Sequence, residues 1–304
     1  MDVLVTGASG FIGSALLSAL TAAGHRPIRA IRGIAVPPGV DGIAWDPDAG
    51  TIDHAVLEGI GAVVHLAGAG IGERRWTDAR KSVILESRTR GTSLIASALA
   101  SLQKKPAVLV SSSAIGYYGN RGDEVLTEES ARGDGFLADV CREWEAAAAP
   151  AAAAGIRLVT IRTGIVLGAD GGVLKQLLVP FRLGLGGRVA TGKQWMSWIA
   201  LVDQVGAILH ALRTESLSGP VNLTAPNPVT NAELTSTLAK VLHRPAKLPT
   251  PLLPLRALYG RELVDHLLVG GQRVLPKVLE ASGYVFQQPT LEPALRFMLG
   301  RAAA

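Results

Sequence analysis

The stretch Gly7-Ala8-Ser9-Gly10-Phe11-Ile12-Gly13 limits the architecture of this chain more than any other part of it. It follows Val3-Leu4-Val5, a continuous apolar run of the kind a strand buried on both faces shows. It precedes Ser14 to Ala23, which reads as a helix stopped by Gly24. Between a strand and a helix, glycines at this spacing each have a use. Gly7 permits a tight turn, Gly10 lets the backbone approach a pyrophosphate, and Gly13 lets helix and strand pack closely. The helix start, with Ser9, Phe11 and Ile12 around it, offers free N–H groups and a positive dipole end to the phosphates.

The rest of the chain repeats the alternation. Pro27 to Ile31 reads as a second strand, and Gly33 to Gly50 as a loop rich in Gly and Pro. Ala62 to Leu66 is another buried strand, followed by a small-residue turn from Ala67 to Gly72. Ala107 to Val110 is the next, ending in Ser111-Ser112-Ser113. Asp134 to Ala154 reads as mostly helical, and Arg157 to Ile161 as strand. Apolar strands alternating with helices predict an α/β fold, a Rossmann-like doubly wound parallel sheet. From about Gly168 the texture changes, with Trp195 and Trp198 among Gly and Leu. Thr230-Asn231-Ala232-Glu233 is a capping-box pattern. A smaller, mainly C-terminal substrate-side lobe is therefore expected over 168–200 and 226–304, with the nucleotide-binding domain over 1–167 and 201–225.

With 304 residues, 48% of them hydrophobic and 18% charged, the chain can bury a sizeable core. Mean hydropathy is +0.30, yet no stretch reaches the roughly 18 uncharged apolar residues of a spanning helix. The opening Met1-Asp2 runs straight into a strand, so no leader is expected. Cys141 is the sole cysteine, which excludes an internal disulfide and any multi-cysteine metal site and suits a reducing cytoplasm. Thirty Lys+Arg against 25 Asp+Glu give +5. The positives are scattered, in groups such as Arg26/Arg29/Arg32, Arg74/Arg75 and Arg88/Arg90, with no long run. A small anionic ligand explains them better than nucleic acid. No metal, nucleic-acid or membrane partner is expected; a homodimer is left open.

The second strand bears on which dinucleotide binds. An NAD site places Asp or Glu at its end for the ribose 2′-hydroxyl. This chain has Arg29-Ala30-Ile31-Arg32 and no acid nearby. Arg32 can pair with a 2′-phosphate, so NADP(H) is expected.

Thr6-Gly7-x-x-Gly10-x-x-Gly13, His65-Leu66-Ala67-Gly68 and Ser111-Ser112-Ser113-Ala114 together resemble the extended short-chain dehydrogenase/reductase superfamily. Arg74-Arg75-Trp76, Ser87-Arg88, Gly116-Tyr117-Tyr118-Gly119, Arg162 to Gly168, Gly192 to Ile199 and Gln272 to Pro276 resemble one atypical subgroup. This is the epimerase family, NAD-dependent epimerase/dehydratase-like proteins with a small C-terminal domain of their own. The resemblance covers nearly the whole chain. It implies that Leu66, Ala67 and Gly68 lie along the cofactor and that Trp45-Asp46 borders the adenine. It also implies that Ser111 contacts the cofactor, that Arg162, Gly164 and Ile165 meet the nicotinamide end, and that Ser113 holds a substrate oxygen there.

The superfamily's Tyr-x-x-x-Lys is missing. The aligned segment, Phe136 to Glu145, puts Leu137 at the Tyr position and Cys141 at the Lys position. Leu137 has no proton to give, and Cys141 reads as a small buried side chain. Tyr117 or Tyr118 would have to donate the proton, or would pack instead. Arg74 and Arg75 are candidates for holding an anionic substrate. Trp76, Trp195 and Trp198 are candidates for an apolar pocket or for core. His65 reads as a structural histidine, and Asp203 as the cap of the helix after it. Two functions compete: an NADP(H)-dependent oxidoreductase or nucleotide-sugar-epimerase-like enzyme on a small substrate, and a catalytically silent NADP(H)-binding regulator or sensor linked to cell division.

Overall fold

The computed structural model describes every residue except 34, 37, 38 and 302–304. The run Val3–Val5 lies in β1 (Asp2–Thr6) and is wholly buried. The glycine turn leads into α1 (Phe11–Ala22), which starts three residues earlier than expected because Gly10 itself is the cap. β2 (Arg26–Arg32) pairs parallel to β1. The stretch 33–50, which reads as loop from its residues but which the resemblance gives a short third strand before Trp45-Asp46, contains β3 (Gly42–Asp46), parallel to β2, with Ile43 and Trp45 alternating inward. Two buried side chains in alternation suffice for a short strand next to the sheet edge, however rich in Gly and Pro the surroundings are. Positions 34, 37 and 38 of that stretch lie outside the described residues.

β4 (Thr51–Ile52) and the short α2 (His54–Leu57) lead to β5 (Ala62–His65), on the other side of β1. α3 (Asp78–Ser101) returns the chain to β6 (Val108–Ala114). This strand runs straight through the three serines instead of stopping before them. The short β7 (Val125–Leu126) precedes two helices, α4 (Phe136–Ala146) and α5 (Ala149–Ala153). The single helix expected over 134–154 is broken just before Pro150, which has no N–H to continue the ladder. Then follow β8 (Arg157–Thr163), β9 (Ile165–Gly168), α6 (Gly172–Arg182), β10 (Trp195–Met196), β11 (Trp198–Ala200), α7 (Leu201–Arg213) and β12 (Gly219–Leu223).

The central sheet has the order β12-β8-β6-β5-β1-β2-β3-β4, and only the β3–β4 pair is antiparallel. The chain works outward from β1 in one direction and from β5 in the other. The switch lies between them, where ligands bind in such sheets. Apolar side chains cover both faces. Val3 and Val5 pack with Leu16 and Leu20 of α1 and Ile208 of α7. Leu4, Val63 and Leu109 pack on the opposite face with Ile95 and Leu99, one turn apart on α3. Each such side chain contributes about 1.5–3 kcal/mol by leaving water.

A third core joins Leu174 and Phe181 of α6, Trp198, Leu234 and Leu238 of the helix Asn231–Leu242, and Leu295. The Thr-x-x-Glu pattern opens that helix as expected. The Glu233 N–H donates to Thr230 Oγ1 (3.2 Å), and the Thr230 N–H donates to Glu233 Oε2 (2.6 Å). Asp203 is a correction. Ala200 caps α7, and Asp203 sits within its first turn, fully buried. Its carboxylate accepts from the Tyr284 hydroxyl (3.0 Å) and the N–H groups of Gln287 (2.7 Å) and Gln288 (2.9 Å). An acid near a helix start looks the same in sequence whether it caps its own helix or holds a distant loop. Among the described residues no helix is long and apolar enough to cross a membrane.

Candidate functional site

A crevice of about 1090 Å³ opens at the switch point, along the carboxyl ends of β1, β2 and β5. The glycine turn forms its floor. Gly7 has φ +65°, and a Cβ there would lie 2.9 Å from the Leu66 carbonyl carbon. A Cβ on Gly13 would collide with the Gly7 carbonyl, so the helix seats directly on the turn. The Thr6 hydroxyl fixes the opposite lip. It accepts from the N–H of Leu66 (3.1 Å) and of Ala67 (3.2 Å). Its own proton therefore goes to Nδ1 of His65, 2.8 Å away. That makes His65 a buried neutral structural group, as expected. Burial pushes it down to about 4.

Gly7, Ser9, Gly10, Arg32, Leu66, Ala67 and Gly68 all border this crevice, as does Trp45. Asp46 does not. It folds back to accept from the N–H of Asp48 (2.9 Å), and Asp48 takes its place in the wall. Arg29 is an addition. It borders the crevice beside Arg32, and both are exposed with no ion-pair partner among the described residues. The sequence offered only its membership of the basic group Arg26/Arg29/Arg32, since strand alternation alone points residues three apart to opposite faces. Phe11 and Ile12, expected at the cofactor, do not border the crevice. The Phe11 ring fills the space where side chains on Gly171 and Gly168 would be, and Ile12 packs on the sheet core.

A second, smaller cavity of about 260 Å³ lies at the carboxyl ends of β6 and β8. Gly164, Ile165 and Trp195 line it, with Leu137, Val140, Cys141 and Trp144 of α4. Leu137 and Cys141, the residues expected at the Tyr and Lys positions, thus face the cavity as a leucine and a thiol. Burial pushes the Cys141 thiol up to about 11.

Ser113, Tyr118 and Arg162 do not line this cavity. They form a buried chain behind it, centred on Glu145. Arg162 gives Nε and Nη2 to the two carboxylate oxygens, both at 2.9 Å. The Ser113 hydroxyl donates to Glu145 Oε1 at 2.7 Å. Arg162 Nη1 donates to the Tyr118 hydroxyl (3.1 Å), which donates to Asn222 Oδ1 (2.7 Å). The Tyr117 ring lies under the guanidinium, 3.5 Å from its carbon. The Glu145 pairing raises the Arg162 guanidinium against the opposing effect of burial. Burial raises the Tyr118 hydroxyl. Glu145 was visible in sequence only as an alignment anchor. Its partner lies 17 residues away on the next strand, and no local pattern links the two. Ser111 is buried in β6, directly opposite His65.

Residues 3–223 match the NAD dependent epimerase/dehydratase family, and residues 250–298 match a domain of unknown function, DUF1731. The chain belongs to the NAD dependent epimerase/dehydratase family. The epimerase family protein of Mycobacterium leprae is 41% identical over 98% of this chain and 96% of its own length. The human epimerase family protein SDR39U1 is 36% identical over 97% of this chain and 99% of its own. A crystal structure of human SDR39U1 (isoform 2) with NADPH superposes with a TM-score of 0.88 at 34% identity, covering 99% of this chain and 100% of that one. A nucleoside-diphosphate sugar epimerase from Corynebacterium glutamicum gives 0.81 at 36% identity, over 99% of this chain and 58% of that one.

Within this epimerase-family fold the remaining candidates separate. Arg74 and Arg75 are exposed and border neither cavity. Trp76 turns inward between them and the fold, its indole N–H donating to the Ile71 carbonyl (2.8 Å), which leaves its neighbours facing water. Trp198 is core, wholly buried, and donates to the Asn227 carbonyl (3.0 Å). Trp195 is the tryptophan of the three that lines the cavity, with Arg273 stacked on it at 4.4 Å.

Proposed function

We propose that the protein binds NADP(H) and acts as an NADP(H)-dependent oxidoreductase or epimerase-like enzyme on a small substrate held in the smaller cavity. One observation carries the cofactor choice: two exposed arginines, Arg29 and Arg32, border the crevice where an NAD site would place a carboxylate. Gly7, Gly10 and Gly13 would hold the pyrophosphate against the start of α1, where N–H groups and the helix dipole favour it. Leu66 to Gly68 would flank the ribose, and Gly164 and Ile165 would meet the nicotinamide end. When bound, the cofactor supplies or accepts a hydride. Both cavities open at carboxyl ends of strands in the same sheet, which supports chemistry between their contents. In this reading residues 1–167 and 201–225 hold the cofactor, and 168–200 and 226–304 shape the substrate side. The human relative crystallised with NADPH supports the same choice. A single cysteine, free and buried, fits a cytoplasmic home.

A specific observation favours the second reading, a silent NADP(H)-binding regulator. The only proton of Ser113 is committed to Glu145, and Leu137 stands where a proton donor would. The experiment is a titration with NADPH and NADH, followed by a carbonyl panel. NADPH should bind at least about tenfold tighter than NADH, and Arg32→Glu with Arg29→Glu should erase the difference. Equal affinities in the unaltered protein would refute the cofactor reading. NADPH binding without turnover of any carbonyl compound would favour the regulator.

A further inference from the structure

The smaller cavity has apolar walls and one guanidinium. Leu137, Val140, Trp144, Leu177 and Met196 supply much of the surface, and no Asp or Glu lines it. Arg88, on α3, borders it from the side nearest the crevice. Its anchoring is unusual for a surface cation. Nη1 donates to the backbone carbonyls of Ala69 and Ile84, both at 3.0 Å. The guanidinium carbon lies 4.8 Å from the Trp144 ring centroid. Gly68 leaves the space beside it open, since a Cβ there would come within 3.4 Å of the guanidinium carbon. Nε and Nη2 have no protein partner among the described residues. Burial lowers this guanidinium to about 10.

The unpartnered edge is informative. Nε and Nη2 form the side of a guanidinium that grips a carboxylate with two parallel hydrogen bonds. This chain uses the same edge elsewhere: Arg162 presents Nε and Nη2 to the two oxygens of Glu145. Arg162 has its carboxylate, and Arg88 has the geometry without one. A half-buried cation held by stacking and by two carbonyls, with its fork left open beside an apolar cavity, costs free energy unless an anion meets it.

We propose that Arg88 is the anion-binding group of this cavity and takes the carboxylate of a small, largely apolar substrate. The cavity, at about 260 Å³, is near the lower end of the range for small-molecule sites, which favours a compact acid over a nucleotide sugar. This deepens the NADP(H)-enzyme reading and rests on it for the role of the cavity. Arg88 takes the part that the sequence pattern suggested for Arg74 and Arg75.

The test is calorimetric, on the full chain with and without saturating NADPH. Benzoate, 3-phenylpropanoate and 4-methylpentanoate are each compared with their own carboxamide. At least one acid should bind the unaltered protein about tenfold tighter than its amide, or better. That preference should vanish in Arg88→Met and return in part in Arg88→Lys, while NADPH affinity stays within about twofold. Absence of any acid-over-amide preference in the unaltered protein overturns the proposal, whether or not Arg88→Met folds. So does an Arg88→Met protein that keeps the preference but loses NADPH, because Arg88 would then serve the cofactor. If NADPH fails to bind the unaltered protein while the acid preference persists, the cofactor reading falls and the Arg88 site stands.

Discussion

Glu145→Ala is the most revealing single change in the buried chain behind the cavity. The Arg162 side chain is 4% exposed and that of Glu145 is 18% exposed, so little water screens the pair. Removing the carboxylate strips two charge-assisted hydrogen bonds from the guanidinium and the acceptor from Ser113. The cation would keep only the Tyr118 hydroxyl and the Tyr117 ring. Breaking one side of such a pair costs about 3–5 kcal/mol, mostly the penalty for a buried charge left alone. At roughly 2–4 °C per kcal/mol for a large domain, the melting midpoint should fall by about 6–20 °C. Urea titration gives the free energy and differential scanning fluorimetry the midpoint. The same reasoning makes a stricter demand of the double variant Glu145→Met with Arg162→Met. It leaves no orphaned charge and should be more stable than Glu145→Ala alone. A Glu145→Ala loss under about 1 kcal/mol, or a double variant no better than the single, would refute the claim that Glu145 compensates a buried guanidinium.

Three other outcomes are expected. His65 is held neutral when folded and titrates near its ordinary value when unfolded, so the unfolded chain binds the extra proton. Stability from this group is complete above about pH 6.5 and is lost as pH falls toward about 4, by roughly 3 kcal/mol; urea midpoints across that window should show the decline, and His65→Leu should flatten it. Gly13→Ala forces a Cβ into the Gly7 carbonyl, so NADPH affinity, read by fluorescence titration, should drop by about tenfold or more. Unchanged affinity would mean that the turn does not hold the pyrophosphate. Cys141 should resist a thiol-reactive dye at mildly alkaline pH in the folded protein and react once in urea, because burial holds its thiol protonated.

The parts of the molecule written in local pattern were readable before any coordinates. Val3–Val5, the glycine spacing and Thr230-x-x-Glu233 each determine their structure within a few residues, and each forms as its chemistry demands. β3 was legible only through the resemblance, as a short third strand, because its two inward residues, Ile43 and Trp45, sit among glycines and prolines that mark turns more strongly than two side chains mark a strand. Arg32 was readable from its place at a strand end, and Arg29 only as a member of the basic group around it. The residues around Glu145 illustrate the opposite limit. Ser113, Glu145, Arg162 and Asn222 come from three strands and a helix, and only the sheet order brings them together. Arg88 was legible as a charge and as part of a Ser-Arg motif, but its open fork is a property of the packing of Trp144 and Ala69 around it.

The grip of Asp203 on the 284–288 loop has a bearing on how the protein is made. Leu279 joins the apolar layer that Val3 and Val5 begin, and Tyr284 and Phe286 pack against the same layer. One face of the central sheet is thus finished by residues made well after its last strand. A nascent chain that has produced β12 but not yet Leu279 holds every central strand and still presents greasy, half-roofed surface to its surroundings. Chaperone capture and misassembly during synthesis should concentrate in that interval, and should end when Gln287 and Gln288 reach the carboxylate that awaits them.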